Sequence, residues 1–503
     1  MSTADQMPFL STRRGKLTLA LLCSIAFVDF VDASIVNLAL PSIRHDLHFS
    51  TRSLVWVPSA YLLTYGGLML LGGRAADLLG RRRVLIAGTV LIGVASLVGG
   101  LAQSSSVLVG ARLAQGVGAA AMLPTALSIL TTLFREGSER NLALGAWGGV
   151  GGISSAIGVL AGGALTEGPG WRWVFFVNPF ACLLVVAASF ALLDGKRPET
   201  RLEGFDLAGA ILSTAGALLA IYALVNAPTV GWGNARTIGE IAGAVVLFAG
   251  FAINELRQRN PLVPPALFRI KGIAVANITQ LFAFCGFLSI FFFLTLYMRG
   301  MLGYSPIKVG VAYLPLCVGA FLAAGAAGPL LSRAGARPMI VTGGLTAAGG
   351  IYWLSRIPVH GSYLSDVLPG TLLLAVGMGP VWVGVASAAT SGVAAGEAGL
   401  AASLLNASQQ LGGALGLAVL SALASSRTGD LLARHTPASA ALVSGFQRAL
   451  LGGSIFLASA AVIALRASNT HGETAAQPDS EPGLLHEQVP PPLPSHATAG
   501  GEN

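Results

Sequence analysis

Asp29 and Asp32 stand three residues apart inside an apolar run from Leu17 to Leu40. On a helix that spacing puts both on roughly one face. A carboxylate buried in a membrane costs about 2.5–3.5 kcal/mol on insertion scales. Two such charges close together disfavour joint ionisation, and burial disfavours each one separately. The chemistry such a pair suits is proton exchange, or the binding of a cation. The plainer alternative is a hydrogen-bonded polar seam between helices. Of the 22 acids in the chain, only these two lie deep in an apolar run.

Arg112 is the expected partner. It lies about five residues, or ~8 Å at the helical rise, into the fourth apolar run. Asp32 lies ~12 Å from the same side by the same reckoning. An arginine there would hold one carboxylate as the anion and leave the other to titrate. Its alternative is to snorkel to the surface. Tyr61, Thr64, Tyr65, Gln115, Asn277 and Gln280 are candidates for a cavity wall, with ordinary packing as the alternative for each. Sparse polar groups among aromatic and apolar ones suit an amphipathic or cationic organic compound.

The elements that must position these residues are membrane spans. The chain has 503 residues, 54% apolar and 10% charged, with a mean hydropathy of +0.72. Soluble domains are nearer 25% charged. Apolar runs long enough to cross ~30 Å as helices recur throughout. Fourteen are expected, near 17–40, 54–72, 84–102, 107–130, 142–165, 172–193, 206–226, 237–256, 272–297, 309–331, 339–355, 364–387, 400–424 and 441–465. Many of the 65 glycines fall inside them, as close packing of membrane helices requires. The basic start (Arg13, Arg14, Lys16) resembles a signal peptide, but the run behind it is too long and carries two acids. It reads as an uncleaved first helix.

Assigning Lys and Arg to the two sides places 19 on the side of the N-terminus and 10 on the other, with Arg112 inside a span. The positive-inside rule then puts both termini in the cytoplasm of a multi-pass plasma-membrane protein. The net charge of +8 is spread over short loops and does not mark a nucleic-acid binder. Residues 467–503, rich in Pro, Ser and acids, read as a disordered cytoplasmic tail. Cys23, Cys182, Cys285 and Cys317 all lie in apolar runs and are expected as free thiols. The sequence holds no complete phosphate-binding loop G-x-x-x-x-G-K-[ST]. Its seven histidines lie outside the spans. No metal, cofactor or catalytic group is therefore expected, and transport driven by an ion gradient is the class that remains.

Between the second and third spans stands Gly72-Gly73-Arg74-Ala75-Ala76-Asp77-Leu78-Leu79-Gly80-Arg81-Arg82-Arg83. Its glycines suit a tight reversal, and Asp77 is placed to meet a cation or a helix start. Glycine, Asp four residues on, then Gly-Arg-Arg resembles the signature loop of the major facilitator superfamily. Val31 to Pro41 is similar to the first-helix motif of its fourteen-helix drug:proton antiporters. Arg112-Leu113-Ala114-Gln115-Gly116-Val117-Gly118 resembles their fourth-helix motif, whose arginine that family implicates in proton coupling. Trp171 to Pro179 and Gly303-Tyr304-Ser305-Pro306 also look like that family. In the fifth-helix antiporter motif Gly158, Gly162 and Gly163 are kept, while Ser154 replaces the first glycine and Val159 the proline.

The resemblance implies an all-α fold of two six-helix halves and two additional helices. It divides the chain into an N-terminus (1–16), a first half (17–193), loops with the added pair (194–271), a second half (272–466) and the tail (467–503). The stretch Gly328 to Arg337 echoes the Asp77 segment, with Ser332 where Asp77 would be. Asp32, Arg112 and Asp29 are then the proton-coupling candidates. Gly73, Asp77, Gly80, Arg81 and Arg82 are the gating candidates, and Glu397 is a cytoplasmic end residue. The likeness is to actinomycete antibiotic and multidrug exporters, including those for puromycin-like compounds. Protons, a drug-like organic compound and the lipid bilayer are the implied partners of a monomer. Two readings stay open: import of a nutrient on the same fold, and a transport-inactive receptor signalling through its tail.

Overall fold

The computed structural model describes residues 9–50, 53–135, 138–193, 206–258, 261, 270, 272–391, 393 and 398–467. They form fourteen α-helices. These are α1 (Arg13–Asp46), α2 (Trp56–Leu79), α3 (Arg81–Gly100), α4 (Ser105–Leu133), α5 (Ser138–Glu167), α6 (Trp173–Leu192) and α7 (Leu207–Val230). They continue as α8 (Ala235–Arg257), α9 (Ile273–Gly300), α10 (Pro306–Ala334), α11 (Ala336–Leu354), α12 (Leu368–Thr390), α13 (Ala398–Ala433) and α14 (Ala438–Ala464). Among the described residues, eleven stretches are long and apolar enough to cross a membrane, and α2, α7 and α11 are not among them. Leu183, Leu184, Val246 and Leu256 lie on the outside, whereas Asp29, Asp32, Arg112 and Gln115 are buried. Apolar outside and polar inside is the arrangement of a multi-pass protein whose solvent is lipid.

Local sequence sets the helix starts. Thr12 accepts from the Gly15 amide at 2.9 Å ahead of α1, and Ser104 accepts from Val107 at 3.4 Å ahead of α4. Ser305 precedes Pro306 at α10, where the missing proline N–H is one that a helix start leaves unpaired in any case. Asp206 caps α7 through the Gly209 amide at 2.8 Å. The same carboxylate takes both oxygens' worth of donation from Asn254 of α8, at 2.8 and 2.7 Å. The added pair of helices is thereby clasped into a hairpin.

The segment from Gly72 to Arg83 is not a loop. Helix α2 continues to Leu79, α3 begins at Arg81, and Gly80 alone turns the chain, at φ +97°. Asp77 accordingly sits in the last turn of α2, and its side chain is outside the described set. The physical reason is that Ala75, Ala76, Leu78 and Leu79 favour helix, while Gly72 serves a different need. A Cβ there would lie 2.0 Å from the Ala120 carbonyl oxygen, so Gly72 lets α4 approach. The echo in the second half turns the same way: α10 and α11 are joined by Gly335 alone, at φ +81°.

Packing repeats with a shift of eight helices. α1 packs on α5 and α6, α2 on α4, and α3 on α4 and α6. In the same pattern α9 packs on α13 and α14, α10 on α12, and α11 on α12 and α14. The two six-helix halves meet along α2–α13 and α5–α10. α7 lies against α2 and α13, and α8 packs on α7. The glycines of α5 divide between two neighbours. A Cβ on Gly158 would strike Ser34 and one on Gly162 the Ile35 carbonyl, both on α1. A Cβ on Gly163 would strike Pro306 and Ile307 of α10, and opposite it Gly310 admits the Val159 carbonyl.

Gly116 makes the tightest test of this packing near the buried acids. A Cβ there would stand 2.1 Å from Thr64 Oγ1 and 2.3 Å from the Tyr61 carbonyl oxygen, whereas one on Gly110 meets nothing within 4 Å. Overpacking of this kind costs about 1–3 kcal/mol. Gly116→Ala should lower the thermal midpoint of the purified protein by several degrees and Gly110→Ala should not; equal midpoints would show that α2 and α4 are not this close.

Candidate functional site

The site grows from Asp32 of α1. Its Oδ2 accepts from Arg112 Nη1 of α4 at 2.9 Å, and both side chains are almost wholly buried, at 2% and 3% exposure. Snorkelling is thus not what Arg112 does. The guanidinium also donates through Nε to the Val57 carbonyl at 3.1 Å and through Nη1 to Gln115 Oε1 at 3.0 Å. Its carbon lies 4.2 Å from the centre of the Tyr61 ring, a favourable place for a cation. Asp32 Oδ1 accepts from Asn178 Nδ2 of α6 and, at 3.4 Å, from Gln115 Nε2. Ser96 Oγ of α3 closes the network, accepting from Gln115 at 2.7 Å and from Asn178 at 3.3 Å. Side chains from α4 and α6 therefore meet the Asp32 carboxylate of α1, and α3 and α2 complete the network around it.

Asp29 has different company. Its two oxygens accept from Tyr61 Oη at 3.1 Å and Tyr65 Oη at 2.8 Å, both of α2. The tyrosine rings meet edge-on at 5.4 Å. Among the described residues no ion pair to Asp29 is found. One acid is thus matched by a cation and the other by neutral hydroxyls. Tyr61 joins them, with its ring under Arg112 and its hydroxyl on Asp29. A proton delivered to Asp32 would leave Arg112 buried without its counter-charge, a costly state that favours rearrangement.

The remaining candidates are spread more widely. Tyr61, Tyr65 and Gln115, expected on a cavity wall, have their polar atoms committed to the two acids and their partners. Thr64 donates to the Leu113 carbonyl at 2.8 Å and fastens α2 to α4. Asn277 accepts from Ser408 at 2.9 Å, and Gln280 donates to Gln409 at 3.1 Å, so both face α13. Arg81 Nη1 donates to Thr132 Oγ1 at the end of α4 at 2.8 Å. Arg82 reaches the Phe190 carbonyl of α6 at 3.2 Å and lies over that ring. Gly73 faces Pro124 of α4. Glu397 lies outside the described residues.

Sequence reasoning missed Ser96 and Asn178. Asn178 stands beside Pro179 in an otherwise apolar helix, a polar side chain with no surface reason to be there. That signal was available. A lone serine such as Ser96 gives none, because its hydroxyl is as often returned to the preceding turn.

Two six-helix repeats, apolar outer faces and a buried ion pair where the first repeat's helices converge define a polytopic membrane transporter. Residues 22–417 match the Major Facilitator Superfamily, and the chain belongs to that superfamily. It is 40% identical over 436 residues to the puromycin resistance protein pur8 of Streptomyces alboniger, covering 85% of each chain. It is 36% identical over 479 residues to the cephamycin export protein CmcT of Amycolatopsis lactamdurans, covering 94% of this chain and 96% of that one. The tetracenomycin C resistance and export protein of Streptomyces glaucescens is 34% identical over 401 residues, 80% of this chain and 74% of its own. Among solved structures, the nucleoside transporter NupG aligns with a TM-score of 0.61 at 11% identity, over 89% of this chain and 99% of its own. The human organic anion transporter MFSD10 aligns at 0.58 and 14%, over 89% and 100%. At those identities the two structures speak to the fold alone.

The ion pair makes a stability prediction independent of transport. Arg112→Met leaves Asp32 buried without its cation and should cost about 3–5 kcal/mol. Arg112→Met combined with Asp32→Asn removes both charges and should recover much of that loss. Thermal unfolding of the two single variants and the double would read this, and additive losses would mean the pair is not coupled.

Proposed function

We propose that the protein exports an antibiotic-class organic compound across the plasma membrane in exchange for protons and so confers resistance. Three relatives named for antibiotic resistance or export, each aligned over about three quarters or more of both chains, support the export of such a compound. The observation that carries the coupling is the buried Asp32–Arg112 pair, joined through Tyr61 to a second acid that has no such cation. The excess of Lys and Arg on one side supports cytoplasmic termini.

In this reading a proton from outside neutralises Asp32, and Arg112 is released to draw on its remaining partners, Gln115 and the Val57 carbonyl. The packing around α1 then favours its other arrangement. Opening and closing proceed along the α5–α10 and α2–α13 seams, where glycines keep the backbones close. At one end of the first seam the Ile307 amide donates to Glu167 at 3.0 Å, a contact that must break when that end opens. Arg81 and Arg82 hold the ends of α3, α4 and α6 together, so that the first half rocks as a unit. Cargo leaves between the two halves.

Asp32→Asn keeps shape and removes the titrating group. It should insert normally and abolish proton-driven efflux, measured as antibiotic tolerance of a sensitive host and as drug-induced proton movement in inverted vesicles. Full efflux by that variant would remove Asp32 from the coupling role; uptake by the wild type, with unchanged tolerance, would reverse the direction.

A further inference from the structure

The second half carries polar chemistry of another kind. Gln280, Phe284, Phe287 and Phe291 follow one another on α9 at spacings of four, three and four residues, which is one helix face. Phe284 stacks on Trp382 of α12 at 6.4 Å between ring centres, and Phe287 meets the same indole edge-on at 5.4 Å. Phe287 continues to Phe291 at 5.5 Å, and Phe291 to Tyr313 of α10 at 5.2 Å. Three helices thus build one aromatic wall.

Four buried polar atoms on these helices have no hydrogen-bond partner among the described residues: Thr279 Oγ1, Arg299 Nε and, on residues of this face and wall, Trp382 Nε1, a donor, and Gln280 Oε1, an acceptor. Gln280 is only 4% exposed, and its nitrogen is already given to Gln409. An unpaired buried donor or acceptor bears its full desolvation cost, so native proteins keep few of them, and each asks for an explanation. Helix α12 has no charged residue, and α9 has none before Arg299. The wall therefore contrasts with the charged network of the first half.

We infer that this wall is a subsite for a planar, uncharged aromatic part of an organic compound. The compound presents a hydrogen-bond acceptor to the Trp382 indole N–H and a donor to the Gln280 carbonyl. Stacking against the aromatic wall selects for flat rings, and the two unpaired atoms select among flat rings for those with matching polar edges. The inference rests on the export reading only in calling that compound cargo.

Acridone and anthracene make the test. They share a fused three-ring frame, but acridone carries one carbonyl acceptor and one N–H donor and anthracene carries neither. Each is titrated by fluorescence into the purified protein in lipid nanodiscs with no proton gradient. The wild type should bind acridone more tightly than anthracene. Trp382→Phe and Gln280→Met should each weaken acridone about three- to tenfold and leave anthracene within about twofold, in variants that remain monodisperse. No acridone binding by the wild type, no preference over anthracene, equal loss of both probes or no loss of either would overturn the subsite. Binding is read without transport, so the two readings fail separately. A protein that binds acridone as described yet exports nothing sinks the export reading alone. An active exporter whose variants bind acridone undiminished sinks the subsite alone.

Discussion

A guanidinium and a carboxylate buried side by side must each answer the other's charge, because no bulk water is there to do it. That constraint organises the first half of this protein. Arg112 cannot be satisfied by Asp32 alone, so the Val57 carbonyl, Gln115 and the face of Tyr61 complete its surroundings. Asp32 has lone pairs left over, and Asn178 and Gln115 fill them. Each of those groups needs a helix brought to the right depth. The close approach of α2 to α4 at Gly116 brings Val57, Tyr61 and Gln115 there, and α1 is held as closely against α5 at Gly158 and Gly162. Small residues on the helices and large polar ones in the middle are two sides of one requirement.

The two halves share a packing plan but not a chemistry. The first holds both deep acids and the arginine. The second holds amides, hydroxyls and a run of aromatic rings. The same pattern of neighbours is used once to hold charge away from lipid and once to present neutral polar edges and ring faces. Asn277 and Gln280 mark the contrast, since their partners, Ser408 and Gln409, are themselves uncharged.

Much of this could be read from the residues. Apolar run lengths gave the helices to within a few residues at many ends, because the bilayer imposes a length on any helix that crosses it. Asp32 and Arg112 could be paired by depth, since they lie ~12 and ~8 Å from the same side at the helical rise and lone charges do not persist in lipid. What could not be read was direction around a helix axis. Tyr61 and Tyr65 looked equally fit for cavity or core, and only the placement of α2 against α1 turns their hydroxyls onto Asp29. The segment around Asp77 misled for a related reason. Two adjacent glycines read as a turn, but here Gly72 makes room for α4, and a single glycine beyond them does the turning. A glycine's sequence context does not distinguish a bend from a contact.

That single glycine has a mechanical meaning. One residue of chain spans about 3.8 Å between successive Cα atoms, which is too little slack for α2 to slide along its axis without α3. α2 forms one side of the seam with α13, and α3 carries Ser96 into the network around Asp32. The corner at Gly80 therefore behaves as a hinge pin between two arms, one resting on the opposite half of the protein and the other touching the neighbours of the carboxylate. A shift at the seam and a change of charge at the carboxylate act on opposite ends of the same short linkage.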